Sequence, residues 1–462
     1  MLPAVHTRAA VSPTMAMLSE YMASARDREL PSSVLEATKQ HLLDTIAAMV
    51  SGSALPPGRA ALSFARSYAV TPAATVVAST VTLAPMDAAL VNGLLAHADE
   101  TDDSHEASQS HPGSAVVPAA LAIGESLRIS GRHFLRAIAL GYDIGPRVTM
   151  ALGGIAFRDA SRRSTHSIAG TFGAAAAAGC AASLDPTRMR YLLDYASQES
   201  SGYAVWGRDS EHMEKSFVFA GMSARNGVTA AMLAGSGFTG VDDVFAGGDN
   251  YFQVNAPGGT PAMLVDGLGE RYEVTRTDIK KWSVGSPIQA PLDAMVNLRA
   301  RQPFDADQVQ KVTVRLAPAV GSVVDNRELP DICLQHMMAV MLLDKTASFA
   351  AAHDRARMDD AAVRRQRSKV EYVPDVELAK VLPQRAAIVE LTLTDGSHRT
   401  ERVDSVRGTS RNPMTRAEVV DKARDLMIPL LGAVLTRRLI VAVLDIEAVG
   451  DLTMLRPLLQ RA

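Results

Sequence analysis

The sequence predicts a mainly α protein: a large helical domain carrying a smaller α+β domain inserted as a lid. Three observations lead there. Apolar residues make up 47% of the chain but aromatics only 5%, so the core is built from Ala, Leu, Val and Met, a composition suited to helices packed through small residues. From about residue 10 to 265 the apolar spacing is helical. After about residue 270 it switches to alternation, and from Thr415 it turns helical again.

The elements follow from local signals. "SSVLEATKQHLLDTIAAMVSG" runs amphipathically from Ser32 or Ser33 as cap to Gly52 as stop. Ser114 and Gly131 bound the next clear helix, and "HFLRAIALGYDIGPRV" follows it directly. Residues 169–183 and 221–237 carry small side chains on nearly every face. Such helices bury little area per residue and are stabilised only by close neighbours on several sides, which makes them central. In "VQKVTVRLAP", Val312, Val314 and Leu316 alternate with Lys311, Thr313 and Arg315, a half-buried strand. "AAIVELTLTDGSHRTERVDSV" alternates likewise and turns at Asp395-Gly396, a hairpin signal. A helix is expected from Asp331 to about Ala352, with a charge-rich exposed stretch near 355–368. Thr415-Arg-Ala-Glu418 is a capping box that opens the last helices. The expected division is residues 1–268 helical, 269–408 α+β, and 409–462 completing the helical domain.

Composition narrows the function classes. A net charge of −3 without a basic stripe gives no footprint for nucleic acid. Two cysteines, Cys180 and Cys333, are too few for an iron–sulfur cluster or a structural zinc site and argue against a disulfide framework. A reducing, cytoplasmic setting is expected. No membrane span is expected either: the Ala- and Gly-rich run from Ile168 to Ser183 is short and weakly lipophilic, and reads as a buried helix. Gly235-Ser-Gly237-Phe-Thr-Gly240 matches the spelling of a dinucleotide loop but follows a helix instead of a strand, so it reads as a helix end and turn.

The richest chemistry lies in His97-Ala-Asp-Glu-Thr-Asp-Asp-Ser-His105 and the following His111-Pro-Gly-Ser. Acids and imidazoles held together between apolar helices shift one another's proton affinities. The residues alone leave three readings: a divalent metal held by His97, Asp99, Asp102, Asp103 and His105; a metal-free acid–base site; or a solvated acidic loop. His166 stands before the Ala-rich helix, where the helix dipole favours a neutral imidazole. Lys215 enters an otherwise apolar segment, and Lys280-Lys281-Trp282 precedes the α+β region.

Together these motifs resemble the MmgE/PrpD family. The likeness runs through "VNGLLAHADETDDSH", "HPGSAVVPAALAIGE", "THSIAGTFGAAAAAGCAASLD", "MEKSFVFAGMSARNGVTAAMLAGSGFTG", "IKKWSVGSPIQAPLDAMVNL" and "SRNPMTRAEVVDKAR", from about residue 15 to 455. It implies a helical domain with an α+β lid, a homodimer, and dehydratase, decarboxylase or epimerase chemistry on small di- or tricarboxylates with no metal or other cofactor. It assigns His111 and His166 as base and acid. It gives Lys215 and Lys281 the substrate carboxylates and the enolate-like charge, with Glu100 and Ser104 to orient substrate. His105, Asp103, Gln289 and His336 are expected to contact substrate.

Five positions depart from the family pattern. Glu100 stands for Asp, Ser104 for Thr, and Gly285 and Gln289 stand where a cysteine and a histidine are frequent. His336 falls where the decarboxylase branch has a tyrosine. The three polar changes at Glu100, Gln289 and His336 predict weak turnover of 2-methylcitrate and cis-aconitate and a preference for another small polycarboxylate. The expected reaction is a lyase step that begins at the proton beside a carboxylate. The alternatives are an epimerase using the same proton abstraction, a metal-dependent hydrolase centred on His97 to His105, and a non-catalytic helical binding protein.

Overall fold

The computed structural model describes residues 11–67, 74–209 and 211–461. The chain divides into two compact units. A helical unit comprises Met1–Ala98, Asp103–Thr277 and Met427–Ala462, and an α+β unit comprises Asp278–Leu426 together with the four residues Asp99–Asp102.

In the helical unit the main helices are α1 (Pro13–Ser24), α2 (Ser32–Gly52), α3 (Pro56–Ser67), α4 (Pro85–Ala96), α5 (Gly113–Leu127), α6 (Gly131–Leu152), α7 (Gly154–Ser161), α8 (Thr165–Ala181) and α9 (Pro186–Glu199). The chain continues through α10 (Met213–Ser216) and a π-helical turn over Phe217–Gly221 into α11 (Met222–Gly235), and then α12 (Tyr251–Asn255). A short antiparallel pair, β1 (Ala74–Thr75) with β2 (Thr82–Leu83), interrupts the helices. The Ala-rich α8 is central, as its composition predicts: its residues are buried on every face apart from a partly exposed His166. Close approach explains the glycines around it. A Cβ on Gly145 of α6 would lie 2.3 Å from the Ala169 carbonyl oxygen, and one on Gly227 of α11 would lie 2.4 Å from the Ala175 nitrogen. The Gly235–Gly240 run is the end of α11, where Phe238 N–H bonds the Leu233 carbonyl and Gly237 takes φ +94°.

In the α+β unit, α13 (Ser286–Arg301), α14 (Pro318–Gly321), α15 (Leu334–Asp344), α16 (Phe349–His353), α17 (Ala361–Arg367) and α18 (Val376–Ala379) accompany a four-stranded sheet. Its order is β4 (Val370–Pro374), β3 (Val309–Leu316), β5 (Ala387–Leu393), β6 (His398–Val403). β3 pairs parallel with β4 and antiparallel with β5, and β5 pairs antiparallel with β6. The alternating residues Val312, Val314, Val389 and Leu391 face a core shared with Leu292 and Met295 of α13 and Met337 and Met341 of α15. The hairpin turns at Asp395-Gly396, with Gly396 at φ +84°.

The helix expected over 331–352 is broken. Lys345 adopts φ +64°, and Ser348 caps a new helix by accepting from Ala351 N–H. The unit boundaries also differ from those expected. Residues 269–277 stay with the helical unit because Glu273 is buried there against His105, and its backbone N–H bonds Asp143. The first turns of α19 (Arg416–Leu444) belong to the α+β unit through the Arg407–Glu418 ion pair and the Phe349 N–H bond to Asp425. The Thr415–Glu418 capping box forms as read, and α19 is interrupted at Gly432, φ +74°. The short α20 (Arg456–Leu459) closes the chain.

Candidate active site

The site is built first from what holds Asp103. Its Oδ2 accepts from the Tyr142 hydroxyl at 2.5 Å and faces His41 Nδ1 at 2.9 Å, while Oδ1 accepts from Gly113 N–H at 3.1 Å. These contacts fix the chain at the start of α5. The Asp103 carbonyl then accepts from His111 Nδ1 at 2.6 Å. A carbonyl oxygen can only accept, so Nδ1 carries the proton and Nε2 is the basic atom of that ring.

His111 lies in a cluster of rings around Phe219, which is 1% exposed. His166, at the second residue of α8, stacks on Phe219 with centroids 3.8 Å apart and planes at 12°. His97 stacks on it at 4.8 Å, His111 sits at 5.7 Å, and His111 and His166 are 5.0 Å from each other. His212 packs against His97 at 5.2 Å, and the edge of Trp206 closes on Phe219 at 4.7 Å. Lys215 Nζ lies 5.2 Å from the Phe219 ring and 5.6 Å from Trp206, held by cation–π attraction. Three sequence-predicted residues, His111, His166 and Lys215, therefore meet on one apolar ring. The ring arrives on the π turn, an insertion common where a helix serves a site. Ser104 is half-buried, with no side-chain hydrogen bond among the described residues.

Asp103 and His105 depart from the expected role of touching substrate. Asp103 is spent on Tyr142, His41 and Gly113. His105 receives the Ser108 N–H at Nδ1 and bonds Glu273 through Nε2 at 3.2 Å. Burial alone would raise the Glu273 carboxyl, but His105, Arg271 and Arg276 together hold it down at about 2. Both residues position the backbone that carries His111.

The strip Asp99–Asp102 belongs to the α+β unit, and three cations grip it. Lys280 Nζ donates to the Glu100 carbonyl at 2.8 Å and stands 3.5 Å from Glu100 Oε2 and 3.7 Å from Asp102 Oδ1. Lys422 donates to the Thr101 carbonyl at 2.9 Å. His353 Nε2 pairs with Asp99 Oδ2 at 2.9 Å while its Nδ1 donates to the Phe349 carbonyl. Both His353 nitrogens face acceptors, so the ring is an imidazolium. Burial opposes that charge, but the Asp99 partner outweighs it and raises the His353 pKa to about 9. Asp99 is lowered in turn, burial being overcome by His353 and Thr101.

Lys281 was the lysine expected at the site, yet its neighbour is the one beside these acids. Lys280 is 4% exposed, whereas Lys281 lies over the Trp282 ring and 3.9 Å from Asp293. Gln289 and His336 also depart from expectation. The Gln289 amide is occupied by the Trp282 N–H and the Trp282 and Val284 carbonyls, so it shapes the 282–284 turn. His336 is fully enclosed in α15, and burial, with Arg367 and Arg357, lowers it to about 4. Sequence reasoning missed His41, Phe219, His353 and Lys422 as structural partners, and chose Lys281 over its neighbour Lys280. Only Phe219, four residues after Lys215, left a signal in spacing.

The MmgE/PrpD N-terminal domain matches residues 16–263 and the MmgE/PrpD C-terminal domain matches residues 282–447. The chain belongs to the MmgE/PrpD family. Among similar proteins is a cis-aconitate decarboxylase-like protein of Aspergillus oryzae, 26% identical with 96% of each chain covered. The cis-aconitate decarboxylase of Aspergillus terreus is 26% identical over 93% of this chain and 92% of its own. That of Homo sapiens is 26% identical over 93% of this chain and 91% of its own.

Proposed function

We propose that this MmgE/PrpD protein is a lyase acting on a small di- or tricarboxylate by metal-independent proton transfer at the carbon beside a carboxylate. The observation that carries the reading is the gathering of His111, His166 and Lys215 on Phe219. The names of the similar cis-aconitate decarboxylases support the lyase class.

In a dehydration, His111 Nε2 takes the carbon-bound proton. The electron pair moves toward the carboxylate as an enolate-like charge, and hydroxide leaves as water after His166 protonates it. In a decarboxylation, CO2 departs, the carbon–carbon pair stays on carbon, and an imidazolium supplies the proton. Poised imidazoles contribute roughly 10²–10⁴-fold. The Lys215 ammonium beside an apolar ring stabilises the developing charge more strongly than it would in water. Ser104 is the hydroxyl proposed to orient substrate. Lys280 takes the place given to Lys281, fixing Glu100 and Asp102.

Metal independence is proposed because three of the five expected chelators, Asp99, Asp103 and His105, are already engaged within their own units. Asp103 and His105 are tied to Tyr142, His41 and Glu273, and Asp99 is paired with His353. Two of the three polar changes expected to redirect specificity, Gln289 and His336, turn inward, so cis-aconitate enters the substrate panel on equal terms. The free, buried Cys180 and Cys333 fit a reducing cytosol, and a homodimer is the assembly proposed, which sedimentation checks.

The test is incubation in D2O with a panel of small polycarboxylates, followed by NMR. A new alkene signal or CO2 release marks a lyase, and α-proton exchange without net conversion marks an epimerase instead. No exchange with any member, or exchange unchanged in His111→Asn and His166→Asn, overturns the reading.

A further inference from the structure

The charge-rich stretch near 355–368 is largely exposed, as expected. It folds around a cavity of about 710 Å³ wholly within the α+β unit. Four arginines line it, Arg327, Arg355, Arg364 and Arg367, against two acids, Glu328 and Asp359. They come from separate places: the turn before α15, the turn after α16, and successive turns of α17. This is convergence of several elements on one space, not a single solvated helix face.

Only part of the positive charge is answered. Arg364 pairs with Asp359, and Arg367 Nη2 reaches Asn326 Oδ1 at 3.5 Å. Arg327 and Arg355 make no side-chain hydrogen bond or ion pair among the described residues. The wall behind them is fixed. Gln335, 3% exposed, accepts from Asn326 N–H at 2.8 Å and donates to Asp325 Oδ1 at 2.6 Å, which sets the turn that presents Arg327. Asn326 holds φ +46° there. The positive field reaches inward as well: after burial, Arg367 and Arg357 are what keep the neighbouring His336 neutral.

We propose that this arginine-lined cavity is a binding site for a small polyanion carrying two or more closely spaced carboxylate or phosphate groups. Its volume falls in the range of about 300–1,000 Å³ usual for small-ligand pockets. Guanidinium forks bind both oxyanion types in paired hydrogen bonds. Neither His111, His166 nor Lys215 lines it, so the site is additional to the proton-transfer residues and its occupancy does not depend on the proposed reaction. An anion there would tie the turn before α15 to α17 and act as an effector of the α+β unit.

The experiment is calorimetric titration of the full chain with citrate and, separately, with pyrophosphate, each at matched ionic strength against sodium chloride. Binding of either is expected, citrate alone marking a carboxylate site and pyrophosphate alone a phosphate site. The double variant Arg327→Gln/Arg355→Gln is expected to weaken it roughly tenfold or more. Arg365→Gln, an exposed α17 arginine outside the lining, is expected to leave it unchanged. On the unmutated protein, the bound anion is expected to shield Arg327 and Arg355, but not Arg365, from phenylglyoxal. No binding of either anion overturns the proposal. So does equal weakening by Arg365→Gln, or protection that spares the lining arginines, since each marks general charge attraction or another site.

Discussion

At the scale of single residues, the paired His353 and Asp99 give the clearest pH dependence. The His353 pKa rises from an ordinary 6.5 to about 9 in the folded chain. The pair therefore contributes stability in full below 6.5 and loses it as pH rises through 9. Asp99 is lowered below 3.8, so its share is present above that value and is lost only in stronger acid. Thermal midpoints are expected to fall between about pH 6.5 and about pH 9, and the fall is expected to flatten in His353→Gln. An identical slope in the variant would assign the transition to other groups. The two adjacent lysines separate as sharply. Lys280→Met is expected to lower kcat by roughly 10²-fold or more through disorder of Glu100 and Asp102. Lys281→Met is expected to stay within about threefold, since a partly exposed charge contributes little. Steady-state kinetics on whichever panel substrate reacts reads both.

At the scale of elements, the small-residue helices and the π turn decide how the imidazoles meet. A Cβ on Gly227 would press on the backbone of α8, not on a yielding side chain. Gly227→Ala is expected to destabilise by about 1–3 kcal/mol, lowering the thermal midpoint by roughly 2–4 °C for each kcal/mol. An unchanged midpoint would mean that α8 and α11 separate freely. These elements were legible beforehand because composition and period are local properties: α8, the β5–β6 hairpin and the α19 capping box all appear as read. What was not legible was set by distant partners. No local signal marks that Gln289 turns back on residues 282–284, that Lys280 and not Lys281 is buried, or that β4 pairs parallel with β3. The expected 331–352 helix failed at one residue, Lys345, whose left-handed backbone propensity does not foretell.

At the scale of the whole molecule, family membership and the helical-plus-α+β plan were readable because the motifs recur along nearly the entire chain. The domain edges were not, since they depend on which core buries Glu273 and which unit anchors the first turns of α19. The metal question also belongs here. Activity is expected to survive prolonged dialysis against chelator, with elemental analysis showing no stoichiometric transition metal. Loss of activity restored by one divalent ion would favour the hydrolase alternative.

The assignment of Asp99–Asp102 to the α+β unit bears on how this scaffold can be recombined. The segment and its three holding cations lie far apart along the gene, with Lys280, His353 and Lys422 all encoded downstream. A chimera that exchanges residues 278–426 between two relatives moves the grip without the strip it grips, leaving buried cations opposite foreign partners. Hybrids are expected to express as folded protein only when residues 99–102 travel with the insert. Drift in specificity within such a lineage would then proceed by paired changes at these two distant stretches, not by free exchange of the α+β unit.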